Sequence, residues 1–156
     1  MRLAEALSLR ANVRRHIEAL RARIASNARY QEGEAPSEDA GALLVEADEA
    51  LREFEDLIRR INRTNAATAM EVDGTLTDAL ARRDVLRMRH HVLTTAADAA
   101  AGTNQHAYAR QLRSELKMFS ALPVGDLRTQ ADQVARELRE LDVRIQRTNW
   151  EVELLD

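Results

Sequence analysis

Apolar residues recur every three or four positions in four long stretches of this chain. In the first, Val13, Ile17, Leu20 and Ile24 are spaced 4, 3 and 4, the seam of a heptad. Arg14, Arg15, Arg21 and Arg23 fall on the outer faces. The spacing predicts one helix over about 3–27. QEGEAPSED follows as a turn, because Gly33 and Pro36 break the helix. Ser37 can cap a second helix over about 38–66, with Glu38 and Asp39 in its first turn, where the macrodipole favours acids. Leu43, Ala47, Leu51, Phe54, Leu57, Ile58 and Ile61 form its apolar face.

Gly74 marks the next break. Thr75 with Asp78 resembles a capping box with Asp in place of Glu, and Thr77 is the alternative cap. A third helix over about 76–101 carries Ala79, Leu86, Leu93 and Ala100 at seven-residue spacing, and Gly102 stops it. The segment 102–125 has no sustained period and reads as an irregular connector: a loop, a helical turn, or a short strand around Leu116, Met118 and Phe119. Asp126 caps a fourth helix over about 126–154, with Val134, Leu138, Leu141, Ile145 and Val152 on its seam.

The pattern predicts an all-α chain in a single helical domain, 1–156. Helices of this length run about 40 Å at 1.5 Å per residue. Short connections make neighbours antiparallel, so the simplest assembly is an up-down-up-down four-helix bundle. The other is a pair of extended helical hairpins that complete their cores by dimerising.

Residues 61–65 read INRTN and residues 145–149 read IQRTN. With Ile61 placed on Ile145, Phe54 meets Leu138, Leu57 meets Leu141, and Thr64-Asn65 meets Thr148-Asn149, an offset of 84. Helices one and three align at an offset of 73, with Glu5 on Asp78, Arg10 on Arg83, Val13 on Leu86 and Leu20 on Leu93. The chain reads as a helical hairpin written twice. Chance similarity between two Ala-, Leu- and Arg-rich helices is the other explanation.

In such a bundle, helices one and three start where two and four finish. Glu5, Arg10, Asp78 and Arg83 would then gather near Thr64, Asn65, Thr148 and Asn149. Thr64 and Thr148 continue the apolar seams, so they form a polar layer, which costs stability and can fix register. One reading is an internally satisfied hydrogen-bond network at one bundle end; the other is a pocket that binds a small ligand or metal. Trp150 is a candidate contact with another subunit, or a rim residue over the core.

Composition narrows the chemistry. Hydrophobic residues make up 45% and aromatic ones 3%, the net charge is −3, and Lys117 is the one lysine. Nothing in the bulk charge calls for nucleic acid. The absence of cysteine removes disulfides, thiolate metal sites and a Cys nucleophile. None of His16, His90, His91 and His106 follows a Glu by three residues, so the Glu-x-x-His pattern of di-iron bundles is missing. HExxH, GxSxG, P-loop and GxGxxG patterns are also missing, and no cofactor, metal or catalytic residue is expected. The N-terminus has no signal-peptide h-region, and no run of about 18 apolar residues occurs, so a cytoplasmic protein is expected.

Charge is unevenly placed. Residues 31–49 hold seven acidic and no basic side chains, whereas residues 1–30 hold seven arginines and two glutamates. The plain reading is a complementary pair of hairpin arms. The sharper one sets the arginine face against another subunit or anionic lipid. Long amphipathic helices often show a second face to a neighbour, so a homo-oligomer or a protein partner is expected.

LAEALSLRA at 3–11, NARYQEGEAPSED at 27–39, INRTN at 61–65, TLTDALARRD at 75–84, RSELK at 113–117 and RELDVRIQRTNW at 139–150 resemble the septicolysin-like family of small bacterial proteins. The resemblance spans nearly the whole chain. It implies an all-helical protein with no transferable catalytic residues, and its name suggests a pore-forming, membrane-active role.

Overall fold

Each seam becomes a helix. In the computed structural model, which describes residues 1–103 and 116–156, α1 is Leu3–Asn27, α2 Ala40–Ala67, α3 Leu76–Ala100 and α4 Val124–Glu151. A 3-10 turn, Glu71–Asp73, joins α2 to α3. The described residues contain two isolated β-bridges and no strand, so the chain is all-α as expected. It divides into two compact units, residues 1–77 with 146–156, and residues 78–145.

The first unit is built on the α1–α2 hairpin. Along α1 the buried positions are Leu3, Ala6, Val13, Leu20 and Asn27, and along α2 Leu43, Ala50, Leu57, Ile61 and Thr64. Both sets follow the 3-and-4 rhythm of a helix that buries one stripe. Leu51, expected on the apolar face of α2, is exposed. Its neighbour Ala50 keeps the 43, 47, 50, 54, 57 rhythm, and one residue's rotation of about 100° turns Leu51 outward. The helices are antiparallel: His16 pairs with Glu46 (3.1 Å) and Arg23 with Glu38. The arginine-rich and acid-rich segments therefore meet at least partly across this hairpin.

Helix ends are set by local chemistry. α2 starts two residues later than expected, so Asp39, not Ser37, is its cap; its Oδ1 accepts from Gly41 N (2.8 Å) and Ala42 N (3.2 Å). Asn27 ties the two helices together: Nδ2 donates to Arg23 O (2.8 Å) and Oδ1 accepts from Glu38 N (3.0 Å). α4 starts two residues early, with Pro123 O accepting from Leu127 N (3.0 Å). Asp126 therefore lies inside the first turn, facing the dipole, and is not the cap.

In the second unit α3 and α4 run antiparallel, because Arg87 pairs with Asp142 (3.7 Å) and Arg128 with Asp98 (2.7 Å). Leu86 and Ala97 of α3 and Ala131, Val134, Leu141 and Ile145 of α4 are buried. Gly102 ends α3 as expected. At φ 76° it takes the left-handed conformation of a Schellman motif, with Gly102 N donating to Ala99 O (3.2 Å) and Thr103 N to Asp98 O (3.0 Å). Of the expected connector 102–125, residues 104–115 and His106 with them lie outside the described residues. Its described part holds no strand, and Leu116, Met118 and Phe119 are exposed.

Candidate functional site

The candidate layer lies where helices start and stop, and in the first unit the structure joins those ends through backbone hydrogen bonds. The start of α1 meets the end of α4: Leu3 N donates to Val152 O (2.9 Å), Leu154 N to Met1 O (2.9 Å), and Arg2 bridges Glu153. The end of α2 meets the start of α3: Leu76 N donates to Thr68 O (2.8 Å), Met70 N to Gly74 O (2.7 Å), and Ala69 bridges Thr75. These two sets correspond bond for bond under the offsets of 73 and 84. The last turns match as well, Thr68 N donating to Thr64 O and Val152 N to Thr148 O, both at 3.0 Å.

This pairing explains why α4 ends at Glu151 and not near 154. Val152, Glu153 and Leu154 leave the helix to pair with the first residues of the chain, and Leu154 is buried there. Extended backbone in this position satisfies carbonyls and amides that a helix end would leave open.

Thr64 is the most enclosed polar group of the layer, with 0% exposure. Its hydroxyl donates to Arg60 O (2.8 Å) and accepts from Leu155 N (3.0 Å). Arg60 Nε in turn donates to Leu155 O (3.1 Å), its Nη2 to the Asp156 carboxylate (3.0 Å), and Arg63 Nη1 to Asp156 O (3.0 Å). Two arginines and a threonine on α2 thus clamp residues 155–156. Glu5 serves its own helix start, accepting from Arg2 N (2.6 Å). Arg2 Nη1 donates to Glu151 O (2.7 Å) and lies 3.8 Å from the Glu153 carboxylate.

The other expected members differ in burial and in the unit they belong to. Asn149 is buried; Asn65 and Thr148 are half-buried; Arg10 is half-buried on the α1 seam. Asp78 is exposed in the first turn of α3. Trp150 is exposed. Arg83 belongs to the second unit, two turns into α3, where its Nε lies 3.5 Å from Asp84 and 4.0 Å from Asp142. Among the described residues that buried Nε makes no hydrogen bond, so Asp84 and Asp142 act on it by charge alone. Arg87 shares the same two carboxylates at 3.7 Å each.

Electrostatic perturbation is concentrated at the other end of α1. The Glu38 carboxyl is held below the usual carboxylate range by hydrogen bonds from the Arg23 guanidinium, 3.1 and 3.0 Å from its Nε. Arg23 is raised by the same contact. Among the described residues, no group of three or more His, Asp or Glu side chains could hold a metal ion, and no helix is long and apolar enough to cross a membrane.

Sequence reasoning missed Arg60, Arg63, Asn27 and the 152–156 segment. A signal existed for two of these. Asn27 continues the α1 seam as Thr64 continues that of α2, and Leu154 stands at the 84 offset from Met70.

The comparisons with known proteins agree with this plain architecture. The model of the "Family of unknown function (DUF6847)" matches residues 10–154. A solved structure described as a functionally unknown conserved protein from Corynebacterium diphtheriae is similar over 99% of both chains, at 38% identity and a TM-score of 0.89. No curated protein matches. The resemblance to septicolysin-like proteins is thereby overturned: the matched region includes INRTN and RELDVRIQRTNW, and neither finding points to that family or to pore formation. From its fold and the near-complete span of the match, the chain belongs to the Family of unknown function (DUF6847).

Proposed function

We propose that the protein is a non-enzymatic helical scaffold, built as one hairpin written twice, that acts by contact with protein, either itself or a partner. The bond-for-bond equivalence of the two helix-end pairings supports the duplication. The Thr64 hydroxyl both donates and accepts inside the fold, which supports a structural role for it as a clamp on residues 155–156.

The observation that carries the contact reading is the outer face of α3. Ala81, Val85, Met88, Val92, Thr95 and Ala99 are spaced 4, 3, 4, 3 and 4 and are all exposed. They make a second heptad seam on a helix whose first seam is already buried. Isolated exposed apolar residues need no explanation, but a continuous stripe marks a contact surface. At the 73 offset, α1 carries Ser8, Asn12, Arg15, Ala19, Ala22 and Ser26, also exposed.

A photo-crosslinking residue settles the matter. Benzoylphenylalanine at Met88, in the producing cell, should give a covalent protein adduct, and the same group at Arg15 should give none. Equal adducts at both positions, or none at Met88, would overturn the contact reading.

A further inference from the structure

We infer that the α3 outer seam takes a second copy of this chain, in a parallel, two-stranded register; this rests on the contact reading above. With Val85 and Val92 at the a positions, Ala81, Met88 and Thr95 fall at d. Valine is the kind of residue that two-stranded parallel coiled coils place at a, although their usual Leu at d is here Ala, Met and Thr. The flanking positions then choose the orientation. Asp84 is at g and Arg89 at e, both exposed, with Asp84 also 3.7 Å from Arg87 of its own helix. In a parallel pair, g of one helix meets the following e of the other, so Asp84 faces the second copy's Arg89, twice by symmetry.

The antiparallel pair with full overlap of the seam is centred on residue 90. It sets the exposed Arg89 against Arg89 of the other copy. Like charges placed opposite each other work against that orientation. Charge complementarity therefore selects the parallel register. The seam from Ala81 to Ala99 is about 27 Å long at 1.5 Å per residue, with alanine at both ends. A contact this slender belongs with weak, reversible interfaces, and a dissociation constant on the order of micromolar is expected.

The chain has no cysteine, so single thiols report on register cleanly. Ala81→Cys and Ala99→Cys are made separately and treated with a short bis-maleimide at about 100 µM protein, well above the expected micromolar constant. In the parallel register each residue meets itself, so each variant alone should yield a species of about twice 17.6 kDa. Asp84→Arg should lower that yield several-fold, and Asp84→Arg with Arg89→Asp should restore it. Circular dichroism of these exposed-site variants controls for folding.

Cross-linking only when the two cysteine variants are mixed would overturn the parallel register. No cross-link in any sample would overturn the second copy as occupant. In that case a benzoylphenylalanine adduct at Met88 would keep the contact reading alive with a different protein, and its absence would end both.

Discussion

Leu3, Ala6 and Val13 of α1 stand at the positions of Leu76, Ala79 and Leu86 of α3, and all six are buried. On the opposite side the two helices part company. α1 shows Asn12 and Arg15 to solvent, with Arg15 Nη2 donating to Asn12 Oδ1 (2.5 Å), and Ser8 and Ser26 return their hydroxyls to Ala4 O and Ala22 O. α3 shows Val85, Met88 and Val92. A buried face is constrained by packing wherever it occurs, so likeness there reports on the fold. An outer face is free of that constraint, so the difference reports on what each face meets.

The inner likeness is open to the hardest test. Ile61 of α2 and Ile145 of α4 stand at the 84 offset from each other and are almost fully buried. Truncating either to alanine should cost about 2–5 kcal/mol, measured by urea unfolding, because each leaves a cavity in a packed seam. A loss below about 1 kcal/mol at one of them would break the equivalence.

The end layer offers a sharper contrast. Thr64 is fully buried and receives the Leu155 N–H, whereas Thr148 is half-buried. Thr64→Val should cost about 1–3 kcal/mol by stranding that donor and releasing the 155–156 segment. Thr148→Val should stay within about 0.5 kcal/mol. Equal effects would mean that the clamp is shared by both ends.

The smallest effect lies at the α1–α2 junction. Hydrogen bonds from Arg23 put the folded-state pKa of Glu38 below its unfolded value. Its contribution is therefore full above the unfolded pKa and lost as pH falls through the folded one. Glu38→Gln should lower the melting temperature slightly at neutral pH, and the gap should close under acid. A gap that widens on acidification would contradict the assignment.

Much of this was legible in the residue pattern. The four seams, the Gly102 stop and the two offsets follow from spacing, which is local and periodic. Thr64 stood out because a polar residue fills an apolar position. The rest depended on what the chain meets. Val152 and Leu154 continue an apolar rhythm that would suit a helix, and only pairing with Met1 and Leu3 pulls them out of it. Ser37 and Asp39 are both competent caps, so the choice fell to where the first helical bond closed. Arg60 and Arg63 bind mainly backbone and chain-end groups, which leave no partner to read in sequence. The family resemblance failed for a different reason: shared helical motifs carried a name whose activity nothing in the chain required.

The central claim is that the outer seam of α3 takes a second copy of the chain and the matching face of α1 does not. Sedimentation equilibrium from about 1 to 200 µM tests it most directly, as that range brackets a micromolar constant. The account predicts that the apparent mass rises from 17.6 kDa toward twice that value. It also predicts that Met88→Glu abolishes the rise while unfolding free energy changes by no more than about 0.5 kcal/mol, and that Arg15→Glu leaves the rise intact. A constant 17.6 kDa at every concentration, or a rise that Met88→Glu does not touch, would contradict it.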